Sequence, residues 1–206
     1  MCEKIAEVYS KKMEREIDAM DEVIVTQGAS GAINSYIAAF ANKGDEVVLF
    51  EPMWSIYMDH VEIAGAISKT VPLRCIDGIW KFNPEELRAA LKRPECKIFL
   101  FNSPHNPTGK VFTLEEMQII SDILDECPQV IVIYDAVYEN LVFDDKKHYY
   151  FGSIGNNWDR TISTFSGGKF FSATGWKIGW AIGPKRLIYF GGIIANTIYE
   201  TFQTSG

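Results

Sequence analysis

Lys169 closes the short run Ser166-Gly167-Gly168-Lys169, directly after a β-rich stretch at 161–165. The two glycines remove side chains that would crowd the lysine. A buried lysine amine loses its proton more readily, and the neutral amine is a nucleophile that forms a Schiff base with a carbonyl group. Taken alone, the residue also fits a solvated lysine in a flexible loop. The interpretation therefore depends on the other motifs of the chain.

Asp135 follows the apolar run Val-Ile-Val-Ile at 130–133 and stands where a central strand is predicted to end. Pyridoxal phosphate, a cofactor held by a Schiff-base lysine, is an electron sink that is deeper when its ring nitrogen is protonated. A carboxylate beside that nitrogen would hold the proton there. Asp135 is the candidate for this role, and the alternative is a turn or helix-cap aspartate.

The small-residue turn Gly-Ala-Ser-Gly at 28–31 connects the strand-like segment 22–25 to the helix-like segment 32–41. Backbone N–H groups at a helix N-terminus, together with the positive end of the helix dipole, bind anions such as phosphate. The turn is therefore a candidate phosphate loop. The alternative is an ordinary strand-to-helix turn with a serine cap.

Three separated segments lie in the order typical of one enzyme family. They are Phe-Asn-Ser-Pro-His-Asn-Pro-Thr-Gly-Lys at 101–110, Ile-Val-Ile-Tyr-Asp-Ala-Val-Tyr-Glu at 131–139, and the lysine segment at 164–179. Together they resemble the class I/II branch of the fold-type I aminotransferases, over about residues 16–206. The run Ser-Ala-Thr-Gly-Trp-Lys in the third segment is similar to that of kynurenine aminotransferases and of glutamine transaminase K, also known as cysteine-conjugate β-lyase.

The resemblance implies a three-layer α/β/α sandwich with a mostly parallel sheet, the large domain of pyridoxal-phosphate-dependent transferases. It also implies transamination between an amino acid of the aromatic, kynurenine or glutamine kind and a 2-oxo acid, through a Schiff base on Lys169. A β-lyase side reaction would use the same carbanion. The alternative function is a truncated fragment that binds pyridoxal 5'-phosphate without turnover, or that acts only together with a full subunit.

By the same resemblance, four side chains contact the cofactor ring. Asp135 faces the ring nitrogen, Asn106 and Tyr138 donate hydrogen bonds to the ring oxygen, and Trp54 stacks on the ring face. The alternatives are an ordinary Asn-Pro turn at Asn106 and packed core aromatics at Tyr138 and Trp54. Ala136, after the aspartate, is a mild variation from the family pattern.

Five further residues match the family's phosphate ligands by position. They are Gly28, Ala29 and Ser30 in the turn, and Ser166 and Lys177 on either side of the Schiff-base lysine. Many family members have arginine where this chain has Lys177. The kynurenine-type subgroup has lysine there, which supports that subgroup.

Strand-like and helix-like stretches alternate along the chain, which is the pattern of an α/β fold. Helices are predicted at 3–17, 30–42, 54–65, from Asn83, from Thr113 to near Cys127, and from Pro184; strands are predicted at 22–26, 45–50, 67–72, 97–102, 129–134, 161–165 and 177–182. The motifs fall where strands end, and open α/β sheets bind ligands there. The irregular segment 144–157 is predicted to be a surface loop.

Composition excludes several classes of function. The 206 residues are 47% hydrophobic with a net charge of −7, and no basic run suggests nucleic acid. No stretch of about eighteen apolar residues suggests a membrane span. The four cysteines and three histidines are scattered, so neither a disulfide framework nor a metal site is expected. The N-terminus lacks a signal pattern; a cytoplasmic protein is expected, or a mitochondrial one if a longer N-terminus exists.

Two other enzyme classes are disfavoured by motifs that the sequence lacks. The pattern Ser166-x-x-Lys169 also occurs in penicillin-binding proteins, but Ser-Asp-Asn and Lys-Thr-Gly are absent from the chain. A dinucleotide-binding fold requires Gly-x-Gly-x-x-Gly, which the turn at 28–31 does not supply.

We expect residues 1–206 to form a single domain, the large domain that binds the cofactor. The resemblance implies that a complete member also has an N-terminal arm and a small domain, both missing from this sequence. The arginine that binds the substrate α-carboxylate is expected in the missing C-terminal part. A homodimer is expected for the full-length form.

Overall fold

The computed structural model describes residues 1–198; the last part of the predicted domain, 199–206, lies outside the described residues. Its strands are β1 (Val23–Gln27), β2 (Glu46–Glu51), β3 (Ile67–Pro72), β4 (Arg74–Ile76), β5 (Ile79–Lys81), β6 (Cys96–Asn102), β7 (Ile131–Asp135), β8 (Thr161–Ser166) and β9 (Ile178–Ile182). Seven of them form one sheet in the order β1-β9-β8-β7-β6-β2-β3, and β4 and β5 form a separate hairpin.

The central sheet is mostly parallel, which confirms the prediction. Strands β3, β2, β6, β7 and β8 pair in parallel along the sheet. Strand β9 runs antiparallel to both of its neighbours, β8 and β1. All the parallel strands therefore end at one edge of the sheet, and β9 begins at that same edge.

Helices cover both faces of the sheet. They are α1 (Cys2–Lys12), α2 (Gly28–Phe40), α3 (Ile56–Ile63), α4 (Pro84–Leu91), α5 (Leu114–Asp125), α6 (Gly167–Phe170) and α7 (Lys185–Ile198), with short 3₁₀ turns at Phe151–Ser153, Asn157–Arg160 and Thr174–Trp176. Helices α2, α3 and α7 bury residues in one apolar cluster, and α1, α4 and α5 bury residues in the other. The result is the expected three-layer α/β/α sandwich.

The strands divide their residues between these two clusters. In β2, Val47 and Leu49 belong to one cluster, whereas Val48 and Phe50 belong to the other. This alternation arises because successive side chains of a strand point to opposite faces of the sheet. The central strands β2, β6 and β7 are buried on both faces because helices cover both, as is typical of a parallel sheet.

Helices α4 and α5 begin where the sequence predicts, because each has a side-chain cap. The Asn83 side chain accepts a hydrogen bond from the Glu85 backbone N–H at 2.8 Å. Thr113 and Glu116 form a reciprocal capping box, with bonds of 3.0 and 3.2 Å. These bonds satisfy N–H groups that have no partner inside the helix.

The first helix is shorter than predicted. It ends at Lys12 rather than Ile17, and Glu14 adopts the left-handed conformation with φ of 51°. Met13 and Ile17 are nevertheless buried, so both apolar residues of this segment do belong to the core. A turn that is closed by a hydrogen bond from the Ile17 N–H to the Ser10 hydroxyl, and not the helix, carries them into the core.

The β4–β5 hairpin was not predicted. Its turn residues Asp77 and Gly78 have φ angles of 52° and 76°. A two-residue turn with both φ angles positive favours Asp-Gly, so the dipeptide itself was the available signal.

The predicted surface loop at 144–157 is exposed only in its first part. Phe151 and Asn157 are fully buried, so the prediction is wrong for the second part. The Phe151 ring packs edge-on against Phe101, with ring centroids 5.2 Å apart, because the segment turns back over the β6 face of the sheet.

Candidate active site

A cavity of about 280 Å³ lies at the edge where the parallel strands end and β9 begins. This volume is close to the lower bound for small-molecule pockets, roughly 300 Å³. Every residue that the sequence analysis assigned to the site lines the cavity: Gly28, Ala29, Ser30, Trp54, Asn106, Asp135, Tyr138, Ser166, Lys169 and Lys177. The fold therefore brings together side chains from six separate parts of the chain.

Asp135 is the last residue of β7, and its side chain is buried in the wall of the cavity. One carboxylate oxygen accepts a hydrogen bond from the Tyr57 hydroxyl, and the other accepts one from the Val137 backbone N–H at 3.1 Å. Burial raises the pKa of Asp135 to about 6, and the two hydrogen bonds oppose this rise. The site thus holds a desolvated carboxylate that a cationic N–H group would stabilise.

Asn102, the last residue of the neighbouring strand β6, connects two cavity segments. Its Nδ2 donates to the Asp135 backbone carbonyl at 2.7 Å, and its Oδ1 accepts from the Asn106 backbone N–H at 2.7 Å. Because Asn102 is fully buried, these bonds are shielded from water. They fix the loop that carries Asn106 relative to Asp135.

The lysine turn follows strand β8. The Ser166 hydroxyl oxygen accepts a hydrogen bond from the Lys169 backbone N–H at 3.2 Å and so caps the one-turn helix α6. A Cβ atom at Gly168 would lie 2.8 Å from the Thr174 Cα atom, which leaves no room for a side chain. Glycine beside the lysine is therefore required by a close backbone approach.

The Lys169 side chain is exposed, so the expectation of a buried amine is wrong. Gly167 and Gly168 are buried, whereas Lys169 and Phe170, the other two residues of α6, are exposed. The Lys169 Nζ atom lies 5.6 Å from the centre of the Tyr138 ring. The amine thus reaches the open side of the cavity with an aromatic ring beside it.

The phosphate-loop candidate lies at the N-terminus of α2, a helix of 13 residues. Gly28 has φ of 67°, a left-handed conformation that favours glycine. Its backbone and those of Ala29 and Ser30 line the cavity, where the positive end of the helix dipole acts. Lys177 lines the same region and adds a full positive charge.

Strand β9 lies against this loop. A Cβ atom at Gly179 would come within 2.4 Å of the Ala29 backbone nitrogen, so the strand approaches the helix N-terminus at a distance that only glycine allows. Lys177, just before the strand, has φ of 52° and is left-handed without being glycine. Such residues are strained and concentrate at functional sites.

Two aromatic side chains form the wall beside Asp135. The centroids of the Trp54 and Tyr57 rings are 5.3 Å apart, and the ring planes are nearly perpendicular, with an angle of 88° between them. The Ser30 hydroxyl, in turn, lies 3.1 Å from Nε2 of His60, on the same helix as Tyr57. Helix α3 therefore supports both the carboxylate and the anion end of the cavity.

Behind the cavity, Glu139 ties the loop after β7 to helix α1. The buried carboxylate accepts hydrogen bonds from the Tyr9 hydroxyl at 2.6 Å, the Lys12 amine at 3.0 Å and the Tyr150 hydroxyl. Glu139 directly follows Tyr138, which lines the cavity. The network holds that tyrosine's backbone in place.

Several cavity residues were missed in the sequence: Gln27, Ile33, Tyr57, Asn102, Val137, Gly168, Thr174 and Ile178. Asn102 had a signal, since a polar residue ending an apolar strand-like run is typical of a site. Tyr57 had none, because its contact with Asp135 depends on how α3 packs. Within residues 1–198, no helix is long and apolar enough to cross a membrane, and no group of three or more His, Cys, Asp and Glu could hold a metal.

Known proteins share both the sequence and the fold. The family described as aminotransferase class I and II matches residues 1–204. The kynurenine–oxoglutarate transaminase of Dictyostelium discoideum is 41% identical and is matched over 96% of this chain and 48% of its own length. Kynurenine–oxoglutarate transaminase 3 of Rattus norvegicus is 40% identical, over 96% of this chain and 45% of its own length.

Solved structures give the same result. The N-succinyldiaminopimelate aminotransferase of Mycobacterium tuberculosis superposes with a TM-score of 0.94 at 35% identity, over 98% of this chain and 52% of its own. A single mutant of Thermus thermophilus aspartate aminotransferase superposes with a TM-score of 0.88 at 29% identity. The match covers 95% of this chain and 50% of that enzyme's chain. The chain spans about half the length of the curated relatives that it matches.

Proposed function

The chain belongs to the class I and II aminotransferase family, and on that premise we propose that it is the domain that binds pyridoxal 5'-phosphate in an enzyme of transamination. The observation that carries the proposal is the cavity itself. It combines a buried carboxylate, a helix N-terminus with a lysine beside it, and a second lysine at its open side. These are the groups that the ring nitrogen, the phosphate and the aldehyde of this cofactor require.

The residues of the cavity fit the cofactor chemically. Asp135 is a desolvated carboxylate with a raised pKa, so a pyridinium N–H beside it would stabilise its charge. Backbone N–H groups of 28–30, with Lys177 and Ser166, offer the donors that a phosphate group needs. The Trp54 ring offers an apolar face to the cofactor ring. Lys169 would bind the aldehyde covalently.

When bound, pyridoxal phosphate withdraws electrons from the substrate carbon that carries the amine. Asp135 would keep the proton on the ring nitrogen, while Asn106 and Tyr138 would donate hydrogen bonds to the ring oxygen. The Lys169 amine, released when substrate arrives, would act as the general base that takes the proton from the substrate α-carbon. The Tyr138 ring beside Nζ would keep that amine over the cavity.

The proposed substrates are an amino acid of the aromatic, kynurenine or glutamine kind and a 2-oxo acid. The support is the identity of 41% and 40% to two kynurenine–oxoglutarate transaminases. Within residues 1–198, no arginine lines the cavity. Since Lys169 and Lys177 are assigned to the aldehyde and the phosphate, the proposal leaves no cation among the described cavity residues for the substrate α-carboxylate. The second domain, the homodimer and the cytoplasmic location stay predictions.

The test is to add pyridoxal 5'-phosphate, record the visible absorbance, reduce with borohydride and map the modified peptide. We expect the label on Lys169 and its loss in Lys169→Ala. Lys43→Ala, which removes another exposed lysine, serves as the control and should keep the label. A label on a different lysine, or none, would contradict the proposal.

The reaction is tested separately, by following amino transfer from kynurenine or glutamine to 2-oxoglutarate. Transfer that depends on Lys169 is the expected result. Labelling of Lys169 without any transfer would identify a cofactor-binding domain that does not turn over.

A further inference from the structure

Ser30 and His60 form a hydrogen-bonded pair at the anion end of the cavity. Ser30, in the first turn of α2, lines the cavity, and its Oγ atom lies 3.1 Å from Nε2 of His60 on α3. The other ring nitrogen of His60, Nδ1, is buried and makes no hydrogen bond to any of residues 1–198. The serine is therefore the hydrogen-bond partner of this imidazole in the described part of the chain.

This geometry decides which atom donates. A neutral imidazole carries one N–H, on Nδ1 or on Nε2. If Nδ1 carried it, a buried N–H would have no acceptor among residues 1–198; if Nε2 carried it, the Nδ1 lone pair would have no donor there. A buried N–H without an acceptor is rarer in proteins than an acceptor without a donor. We therefore assign the proton to Nε2, which makes His60 the donor and the Ser30 oxygen the acceptor.

The imidazole is neutral at pH 7 for a physical reason. Burial lowers the pKa of His60 below its usual value, and the nearby Asp59 carboxylate only partly opposes this. A neutral ring with its proton on Nε2 is therefore the form that faces Ser30.

The consequence concerns the single hydrogen of the serine. Because the Ser30 oxygen accepts from His60, its own O–H is free to donate into the cavity. A phosphate oxygen can only accept, so the hydroxyl must present its hydrogen to be a ligand. With the opposite tautomer, Ser30 would donate to His60 and turn its lone pairs toward the anion.

We propose that His60 is a positioning residue that holds the Ser30 hydroxyl as a hydrogen-bond donor toward the phosphate group of the ligand. The inference rests on the proposed function, because it assumes that a phosphate lies at this end of the cavity. It deepens that function by assigning a role to a side chain outside the cavity wall.

The experiment compares dissociation constants for pyridoxal 5'-phosphate and for pyridoxal, which lacks the phosphate. The variants are Ser30→Ala, His60→Leu, His60→Gln and the double variant Ser30→Ala with His60→Leu. Glutamine places an amide N–H near the position of Nε2, whereas leucine has a similar bulk and no donor. Thermal unfolding of each variant reports whether the fold is kept.

We expect His60→Leu to weaken binding of the phosphorylated ligand by about threefold to tenfold, since the Ser30 hydroxyl loses the hydrogen bond that orients its O–H toward the phosphate. The dissociation constant for pyridoxal should stay within about twofold of that of the unsubstituted chain, because pyridoxal has no phosphate for Ser30 to contact. His60→Gln should restore the affinity to within about twofold. The double variant should be no weaker than Ser30→Ala alone, because the two residues act through one contact.

Each other outcome is decisive. Three results would overturn the role of His60 and leave the proposed function untouched. They are equally weakened binding of both ligands, failure of His60→Gln to restore affinity, and additive losses of affinity in the double variant. If the unsubstituted chain does not bind pyridoxal 5'-phosphate at all, the proposed function fails and the inference falls with it.

A second measurement needs no ligand. The ¹⁵N chemical shifts of the His60 ring report its tautomer, with the assignment taken from the spectrum of His60→Gln. We expect the Nε2–H form at pH 7. A ring protonated on Nδ1 would overturn the inference whatever the binding data show.

Discussion

The Tyr57 hydroxyl donates a hydrogen bond to the Asp135 carboxylate across 78 positions of sequence. The tyrosine comes from the helix after β2 and the aspartate from the end of β7, with β6 between those strands in the sheet. Both groups are buried, so the bond forms away from water. It partly offsets the desolvation of the carboxylate and keeps more of it ionised than burial alone would allow.

Replacing Tyr57 by phenylalanine should therefore raise the pKa of Asp135 above its value of about 6. Loss of one hydrogen bond to a charged group corresponds to about one pKa unit. The measurement is a ¹³C NMR titration of the Asp135 carboxyl, identified by its absence in Asp135→Asn. Tyr36→Phe is the matched control, because Tyr36 is also buried but its hydroxyl contacts no polar group of residues 1–198. An unchanged or lower pKa in Tyr57→Phe would contradict the role of the bond.

The stability of the chain without cofactor should change with pH because of Asp135. Its pKa is 3.8 unfolded and about 6 folded, so below pH 3.8 the group is neutral in both states. As the pH rises through 6, the folded state has to accept a buried charge, and this group's contribution to stability falls. The difference of about two units corresponds to about 3 kcal/mol.

Asp135→Asn should remove that dependence. Relative to the unsubstituted chain, its free energy of unfolding should rise by about 2.5 kcal/mol between pH 4 and pH 7.5, measured by urea denaturation. Asp144→Asn, at an exposed left-handed position that asparagine tolerates, should show no such trend. A parallel trend for the two variants would rule out Asp135 as the source.

Gly179→Ala should be strongly destabilising, because the added methyl group would lie 2.4 Å from the Ala29 backbone nitrogen. Overpacking against backbone is expected to cost about 3 kcal/mol, and affinity for pyridoxal 5'-phosphate should fall as the phosphate loop moves. Gly175→Ala is the control, since nothing lies within 4 Å of its added methyl group. Similar free energies of unfolding for the two variants would show that the close approach is not real.

Glu139→Ala should loosen helix α1 before the rest of the fold. The change leaves the Lys12 amine and the Tyr9 and Tyr150 hydroxyls without their acceptor, at a cost of about 3 kcal/mol. Amide hydrogen exchange of α1 is the measurement, and we expect its protection to fall most. Glu7→Ala, which removes an exposed carboxylate on α1, should leave the exchange unchanged. Uniform loss of protection throughout the fold would argue against a local effect.

The sequence was sufficient for the order of the elements and for most of the cavity wall. Lys169, Asp135 and the turn at 28–31 stand at the ends of apolar runs, and a parallel sheet brings such ends to one edge. Lys177 lies at the same edge because it directly precedes β9, the strand that runs antiparallel and therefore begins where the others end. Because these positions follow from local sequence patterns, they can be predicted without the structure.

Four features could not be predicted from local patterns in the sequence. The bonds of Tyr57 to Asp135 and of His60 to Ser30 require the placement of α3 over the sheet, and no periodicity reports that. The exposure of Lys169 follows from the length of α6, which is a single turn. The left-handed backbone of Lys177 has no sequence signal, since lysine rarely adopts it.

The pairing of β1 with β9 has a consequence for synthesis. In the described sheet, β9 is the neighbour of β1, so the strand that leads into the phosphate loop is paired only after about 150 further residues have been made. A nascent chain emerging from the ribosome could form the β2–β3 pair early, but β1 would have no strand partner until Ile182 had appeared. Binding of an anion at the phosphate loop would then have to wait until β9 has been made.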